Sequence, residues 1–147
     1  MKPADFNTLD GVVTAIRHGM DADEVELGLA EGLQIVVKVS REVQNILMLK
    51  QGTRAFGLVR PTSIVLLEEP APGLPAEFNQ LAGSVRDVGN GDNDIKVGLD
   101  LPNGQTLVAR ITHERAETLN LAVGAPATAV FKAGSVIIGM DQRPLLN

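Results

Sequence analysis

The chain has 147 residues, with 13 Lys and Arg against 18 Asp and Glu, and it lacks Cys, Trp and Tyr. Its 44% apolar and 21% charged residues make a globular composition, and the missing cysteines exclude disulfide frameworks, thiolate metal sites and cysteine nucleophiles. A net charge of −5 with four Phe as the whole aromatic complement argues against a nucleic-acid footprint, and no apolar run reaches the roughly 20 residues of a membrane helix.

In chain order, Met1-Lys2-Pro3-Ala4-Asp5-Phe6 has no apolar signal core, so a soluble, cytoplasmic protein is expected. Leu9 to Arg17 alternates apolar and polar residues and predicts a first strand. Glu24 to Leu29 predicts a second, after the turn-rich loop His18-Gly19-Met20-Asp21-Ala22-Asp23. Gly32 suits the positive backbone angle of a tight turn, and Leu33 to Val39 follows as the third strand. Ser40 is placed to N-cap a short helix with Glu42 in its first turn and Val43, Ile46 and Leu47 as its apolar stripe. The helix should stop by Gly52, before a fourth strand, Thr53 to Val59, and a fifth, Ser63 to Leu67.

The pattern then repeats. Phe6-Asn7-Thr8-Leu9-Asp10-Gly11-Val12-Val13 stands over Phe78-Asn79-Gln80-Leu81-Ala82-Gly83-Ser84-Val85 at an offset of 72. Gly32, Glu42, Leu47, Leu49, Gly52, Ala55 and Ser63 stand over Gly104, Glu114, Leu119, Leu121, Gly124, Ala127 and Ser135. Lys38 lies over Arg110, Ser40 over Thr112, and Arg60 over Lys132. For the second strand the copies are matched at an offset of 70, with Glu24 to Leu29 over Asp94 to Leu99. The expected boundaries are a first barrel over 1–69, a Pro-rich linker over 70–76 and a second barrel over 77–147. Strand–strand–strand–helix–strand–strand in about 64 residues is the element order of an OB-type Greek-key barrel. The predicted fold is therefore all-β: two tandem OB-like barrels, each with one short helix between strands 3 and 4. A small α+β sheet with one covering helix is the alternative. So small a copy has little core of its own, and the two should pack on each other or on further subunits.

Chemistry of turnover is missing from the sequence. His18 and His113 fall at non-equivalent places in the two copies, and a paired site would have repeated. No nucleophile elbow, P-loop or dinucleotide fingerprint occurs. Asp92-Asn93-Asp94 opens like a calcium loop but lacks the glycine at its sixth position and reads as a hairpin tip. A binding protein is expected rather than an enzyme.

The twin pattern Leu-x-Gly-x-Val, a Gly-bearing loop, Leu33…Val39-Ser40 or Leu107…Ile111-Thr112, and Leu-x-Leu-x-x-Gly resembles the Mop or molbindin family of TOBE domains. Phe131-Lys132-Ala133-Gly134-Ser135-Val136 is similar to that family's closing Lys-Ala-Ser signature. The resemblance covers both repeats and matches the tandem di-Mop arrangement of molbindins and of the effector half of the bacterial molybdate-responsive regulator. It implies molybdate or tungstate as ligand, no other cofactor, and a homo-oligomeric dimer or trimer; the acidic charge and the lack of a long apolar run are what argue against direct contact with nucleic acid or membrane. Carried over by position, the oxyanion-binding residues are Ser40, Arg60, Ser63, Thr112, Lys132, Ala133, Gly134 and Ser135. Closer agreement with the signature places the tighter site on copy two.

Two departures bear on this. The family's Ser-Ala-Arg-Asn is here Ala4-Asp5-Phe6-Asn7 and Ala76-Glu77-Phe78-Asn79, so the arginine is a Phe and an acid is added in both copies. A helix hydroxyl the family uses is replaced by Val43 and Arg115, and Arg115 is a candidate to restore charge in copy two. Phe6 and Phe78 read as barrel plugs. The leading function is storage or sensing of an oxyanion. A degenerate scaffold for oligomerisation or protein interaction is the rival, and a site for small organic anions comes third.

Overall fold

The computed structural model describes residues 6–140, so the readings of Met1 to Asp5, and of the barrel limits at 1 and 147, lie outside the described residues. The first copy supplies β1 (Asn7–His18), β2 (Ala22–Gly28), β3 (Gln34–Ser40), α1 (Arg41–Leu47), β4 (Arg54–Val59) and β5 (Val65–Leu67). The second supplies β6 (Phe78–Asn90), β7 (Ile95–Asp100), β8 (Thr106–Ile111), α2 (His113–Thr118), β9 (Pro126–Lys132) and β10 (Ile137–Met140).

β1 pairs with both β2 and β4, and each contact requires its face residues to alternate. Leu9 and Val13 accordingly point inward and are fully buried. Glycine at the third place of Leu-x-Gly-x-Val has a steric cause: a Cβ on Gly11 would stand 2.5 Å from the Gly28 carbonyl oxygen. On Gly83 it would stand 2.2 Å from that of Asp100. Just beyond, the register slips between Val13 and Ala15, and between Val85 and Asp87. Such bulges bend a long strand so that it can serve a barrel.

The ladders correct one sequence expectation. Val25 opposes Val37 and Val97 opposes Ala109, so the second strands also align at an offset of 72, not 70. Val25, Leu27 and Leu29 then stand over Val97, Leu99 and Leu101. A two-residue slip preserves which side chains face inward, so alternation alone does not expose it.

The two sheets run β10-β4-β1-β2-β3 and β5-β9-β6-β7-β8. The fifth strands are thus exchanged: β5 pairs with β9, and β10 with β4. The ranges 1–69 and 77–147 delimit the sequence copies, whereas each folded barrel borrows its last strand from the other copy. β3 closes against β10 and the 3-10 turn Ala133–Ser135, and β8 against β5 and the turn Pro61–Ser63. Buried side chains of both barrels, among them Leu9, Ile35, Leu66, Leu107 and Phe131, form one continuous core. Between the copies, the side-chain amide of Gln80 accepts from the Ala71 amide at 2.8 Å and donates to its carbonyl at 2.7 Å. That exchange fastens the linker to β6.

Two expected packing roles change. In α1 the apolar stripe is largely uncovered: Leu47 reaches the core, but Ile46 is 79% exposed and Val43 is exposed too. Met48 takes a left-handed turn at the C-cap, which sends Leu49 into the core in place of another helical turn. Phe6 and Phe78 are half-buried beside basic side chains, and Phe131 is the buried aromatic of the core.

Candidate functional site

β4 ends at Val59, and Pro61 then fixes the start of a 3-10 turn that leaves Arg60 at an exposed corner. The Arg60 guanidinium lies over the Phe6 ring, 5.3 Å from its centre. Next to it, the buried Asn7 side chain crosses to the other barrel. Its amide nitrogen donates to the Val108 carbonyl at 2.9 Å and to the Val59 carbonyl at 3.2 Å. Its oxygen accepts from the Val108 N–H at 2.8 Å. This bond pair holds β8 against barrel one.

With β8 comes Arg110, and with β7 its direct cross-strand partner Lys96. Arg60, Lys96 and Arg110 meet in an open cleft of about 500 Å³ that Phe6, Asn7, Pro61, Thr62 and Val108 complete. Arg110 is paired with Asp94, Nε lying 3.0 Å from one carboxylate oxygen and Nη2 donating to the other at 3.2 Å. Arg60 and Lys96 have no ion-pair partner among the described residues. Three cations against one carboxylate leave two positive charges facing the cleft. A small dianion with oxygen acceptors fits that charge, with the guanidiniums, the ammonium and the Thr62 hydroxyl as donors.

Of the eight residues carried over from the family resemblance, Arg60 lines this cleft. Ser63 closes the same turn, its N–H bonded to the Arg60 carbonyl at 2.9 Å. Ser40 and Thr112 are N-caps, accepting from the Val43 and Arg115 amides at 3.2 and 3.0 Å. Ala133 is buried and its N–H is bonded to the Glu77 carbonyl at 2.7 Å, so that amide is already taken. Its counterpart Pro61 has no N–H at all. Lys132, with Gly134 and Ser135 in the turn after it, occupies the mirror corner, its ammonium 5.6 Å from the Phe78 ring centre. Arg115, the candidate to restore charge, directs one guanidinium N–H to the Leu66 carbonyl at 2.9 Å.

The mirror corner repeats the construction but not the charge. Asn79 grips Val36 through both its N–H and its carbonyl, at 2.7 and 2.9 Å. In the ladders, however, Lys96 and Arg110 correspond to Glu24 and Lys38. Glu24 is itself paired with Arg17 at 3.3 Å. The denser cationic cluster therefore surrounds Arg60, the reverse of the expectation that favoured copy two. Lys96 carries no signal in the repeat: it stands over an acid at either offset, Glu26 at 70 and Glu24 at 72, so matching the copies does not mark it as a site residue.

One buried acid lies elsewhere. Asp23, 2% exposed in its side chain, stands 3.2 Å from His18 Nδ1 and 3.4 Å from Arg41 Nη2. Burial by itself would raise its carboxyl, but the hydrogen bond and charge of His18, then those of Arg41, outweigh it and hold it below the ordinary value. Arg41 also donates to the Gly19 carbonyl, so the trio ties the β1–β2 turn to the start of α1. Among the described residues no His, Asp and Glu cluster is arranged to hold a metal ion, and no helix is long and apolar enough to cross a membrane.

Comparison with known proteins adds a family. A model described as the TOBE domain matches twice, over residues 4–66 and 77–138. The chain is 34% identical over 140 residues to the molybdenum-pterin-binding protein MopA of Rhodobacter capsulatus, covering 95% of this chain and 53% of that one. It is also 34% identical over 142 residues to the molybdenum transport protein ModE of Herbaspirillum seropedicae, covering 97% and 53%. It thus spans about half the length of these relatives. A solved structure of the cytoplasmic molybdate-binding protein ModG, with molybdate bound, superposes with a TM-score of 0.88 at 30% identity. That match covers 96% of this chain and all of the other.

Proposed function

Because the chain belongs to the TOBE-domain family and carries the domain twice, we propose that it binds tetrahedral oxyanions of the molybdate and tungstate type, for storage or sensing in the cytoplasm. The observation that carries this is the cleft of Arg60, Lys96 and Arg110, whose two uncompensated positive charges match a dianion. The names of MopA, ModE and ModG support the same ligand class. A phenylalanine where the family has arginine does not leave the site without a guanidinium. Phe6 carries Arg60 on its ring, and that cation takes up part of the missing arginine's role. The scaffold reading is less favoured, since a surface with nothing to bind gains nothing from gathering unpaired cations.

The proposed role is binding, not turnover. A homo-oligomer belongs to the proposal as well, with the uncovered apolar residues of α1 as its support.

Calorimetric titration with molybdate, tungstate and sulfate tests the ligand. Saturable molybdate binding that weakens as salt is raised is expected, because the attraction comes from exposed cations. The same binding should raise the melting temperature, with about 2.7 kcal/mol of added stability at a hundredfold excess over Kd. A folded chain that gives neither heat nor a thermal shift with all three anions would leave the scaffold as the better reading.

A further inference from the structure

We propose that Lys96 decides which of the two inter-barrel corners holds the dianion, so that each chain carries one such site and not two. This rests on the oxyanion reading above and adds a residue and a stoichiometry to it. Nearly every part of the corner is duplicated. A cation lies over an aromatic ring in both, Arg60 on Phe6 and Lys132 on Phe78. An asparagine grips the opposite barrel in both, Asn7 at Val108 and Asn79 at Val36. A cation stands two residues further along the gripped strand, Arg110 or Lys38. One ladder position reverses sign between the corners: Lys96 on β7, which lines the Arg60 cleft, against Glu24 on β2.

That reversal changes what each corner needs. Lys96 and Arg110 are direct cross-strand partners of like charge, an arrangement that destabilises a sheet unless something offsets it. Asp94 offsets Arg110 and leaves Lys96 facing the cleft uncompensated. Glu24 and Lys38 are cross-strand partners of opposite charge, and Arg17 adds a second cation to Glu24. The first corner is relieved by an anion. The second keeps Lys132 and Lys38 against Glu24, with Arg17 shared between Glu24 and Glu26, so it holds one net positive charge where the first holds two, and its carboxylate would repel a dianion.

The test is calorimetric titration of the full chain with sodium molybdate at low salt, using the wild type and four variants. The wild type should bind one equivalent per chain. Lys96→Glu should weaken binding about tenfold or more, since one attraction becomes one repulsion of similar size. Lys96 is exposed and its replacement by Glu makes an opposite-charge pair with Arg110, so this variant keeps its fold. Lys96→Arg should stay within about threefold of the wild type, because the charge is kept. Glu24→Lys should raise the stoichiometry to two. Lys50→Glu makes the same change in net charge at an exposed residue outside either cleft and should alter affinity less than about twofold. Two equal sites in the wild type, one equivalent in Glu24→Lys, or equal effects of Lys96→Glu and Lys50→Glu would each overturn the assignment. In those cases molybdate still binds and the oxyanion reading stands. A wild-type chain that binds no molybdate overturns both.

Discussion

At the scale of single residues, Asn7 and Asn79 do what a strand edge normally does. A side-chain amide offers one donor and one acceptor in a plane, and here it meets the N–H and carbonyl of a single residue on the other barrel. Replacing Asn79 by Leu removes both partners of Val36 at a part-buried contact. The expected loss is about 1–3 kcal/mol in urea unfolding, from backbone groups left without hydrogen bonds. Asn7→Leu should behave alike and also loosen the cleft, because Val108 lines it. A second residue-scale expectation concerns acid. The Asp23 carboxyl lies below its ordinary value of 3.8, held there against burial by His18 and Arg41. A folded-state pKa lower than the unfolded one gives stability that is present above about pH 4 and lost as the pH falls through the folded value. Asp23→Asn should therefore be less stable at neutral pH and show a shallower loss of stability below pH 4. Equal acid slopes for the two proteins would contradict the assignment of Asp23 as the buried, ion-paired carboxylate.

At the scale of elements, the exchanged fifth strands make each copy incomplete. β5 is three residues long and has its ladder on β9, while β4 presents its other edge to β10. Val136 packs inward beside Gly57 of the other copy, where an added Cβ would meet its methyl at 2.8 Å. Residues 6–75 expressed alone would carry a fifth strand with no β9 and a fourth with an open edge. Two such fragments can satisfy each other by the same exchange, at little cost. Light scattering should find the fragment as a dimer of twice its mass, or aggregated, at micromolar concentration. A folded monomeric fragment would mean that β5 can close its own barrel. The short helices also differ between copies: α1 shows Val43 and Ile46, whereas α2 has Arg115 and Thr118 in their places.

At the scale of the whole molecule, that difference bears on assembly. Ile46 and Met48 are 79% and 74% exposed on one side of barrel one, too much apolar surface to leave in water without cost. If the proposed oligomer buries this side, Ile46→Glu should shift the chain toward its monomer mass of 15.6 kDa. The wild type should run at two or three times that mass by light scattering. An unchanged oligomer in the variant would place the interface elsewhere.

Alternation, glycines and a 72-residue repeat sufficed to predict the all-β double barrel, because those signals are local: a strand's inward face, a turn's positive φ and an N-cap hydroxyl are each written within a few residues. Gly32 and Gly104 do take φ of 76° and 87°, and Ser40 and Thr112 do cap their helices. Arg60 was legible for a similar reason, as the partner of Lys132 in a repeated motif. Three things needed the tertiary structure. The register of β2 and β7 was hidden, since a slip by two keeps the pattern. The strand exchange was hidden, since a strand's sequence does not state which neighbour it will pair with. The cleft was hidden most deeply, because Lys96 and Arg110 are far in sequence from Arg60. They reach it when Asn7 docks β8 on barrel one, and a long-range contact of that kind has no local signature.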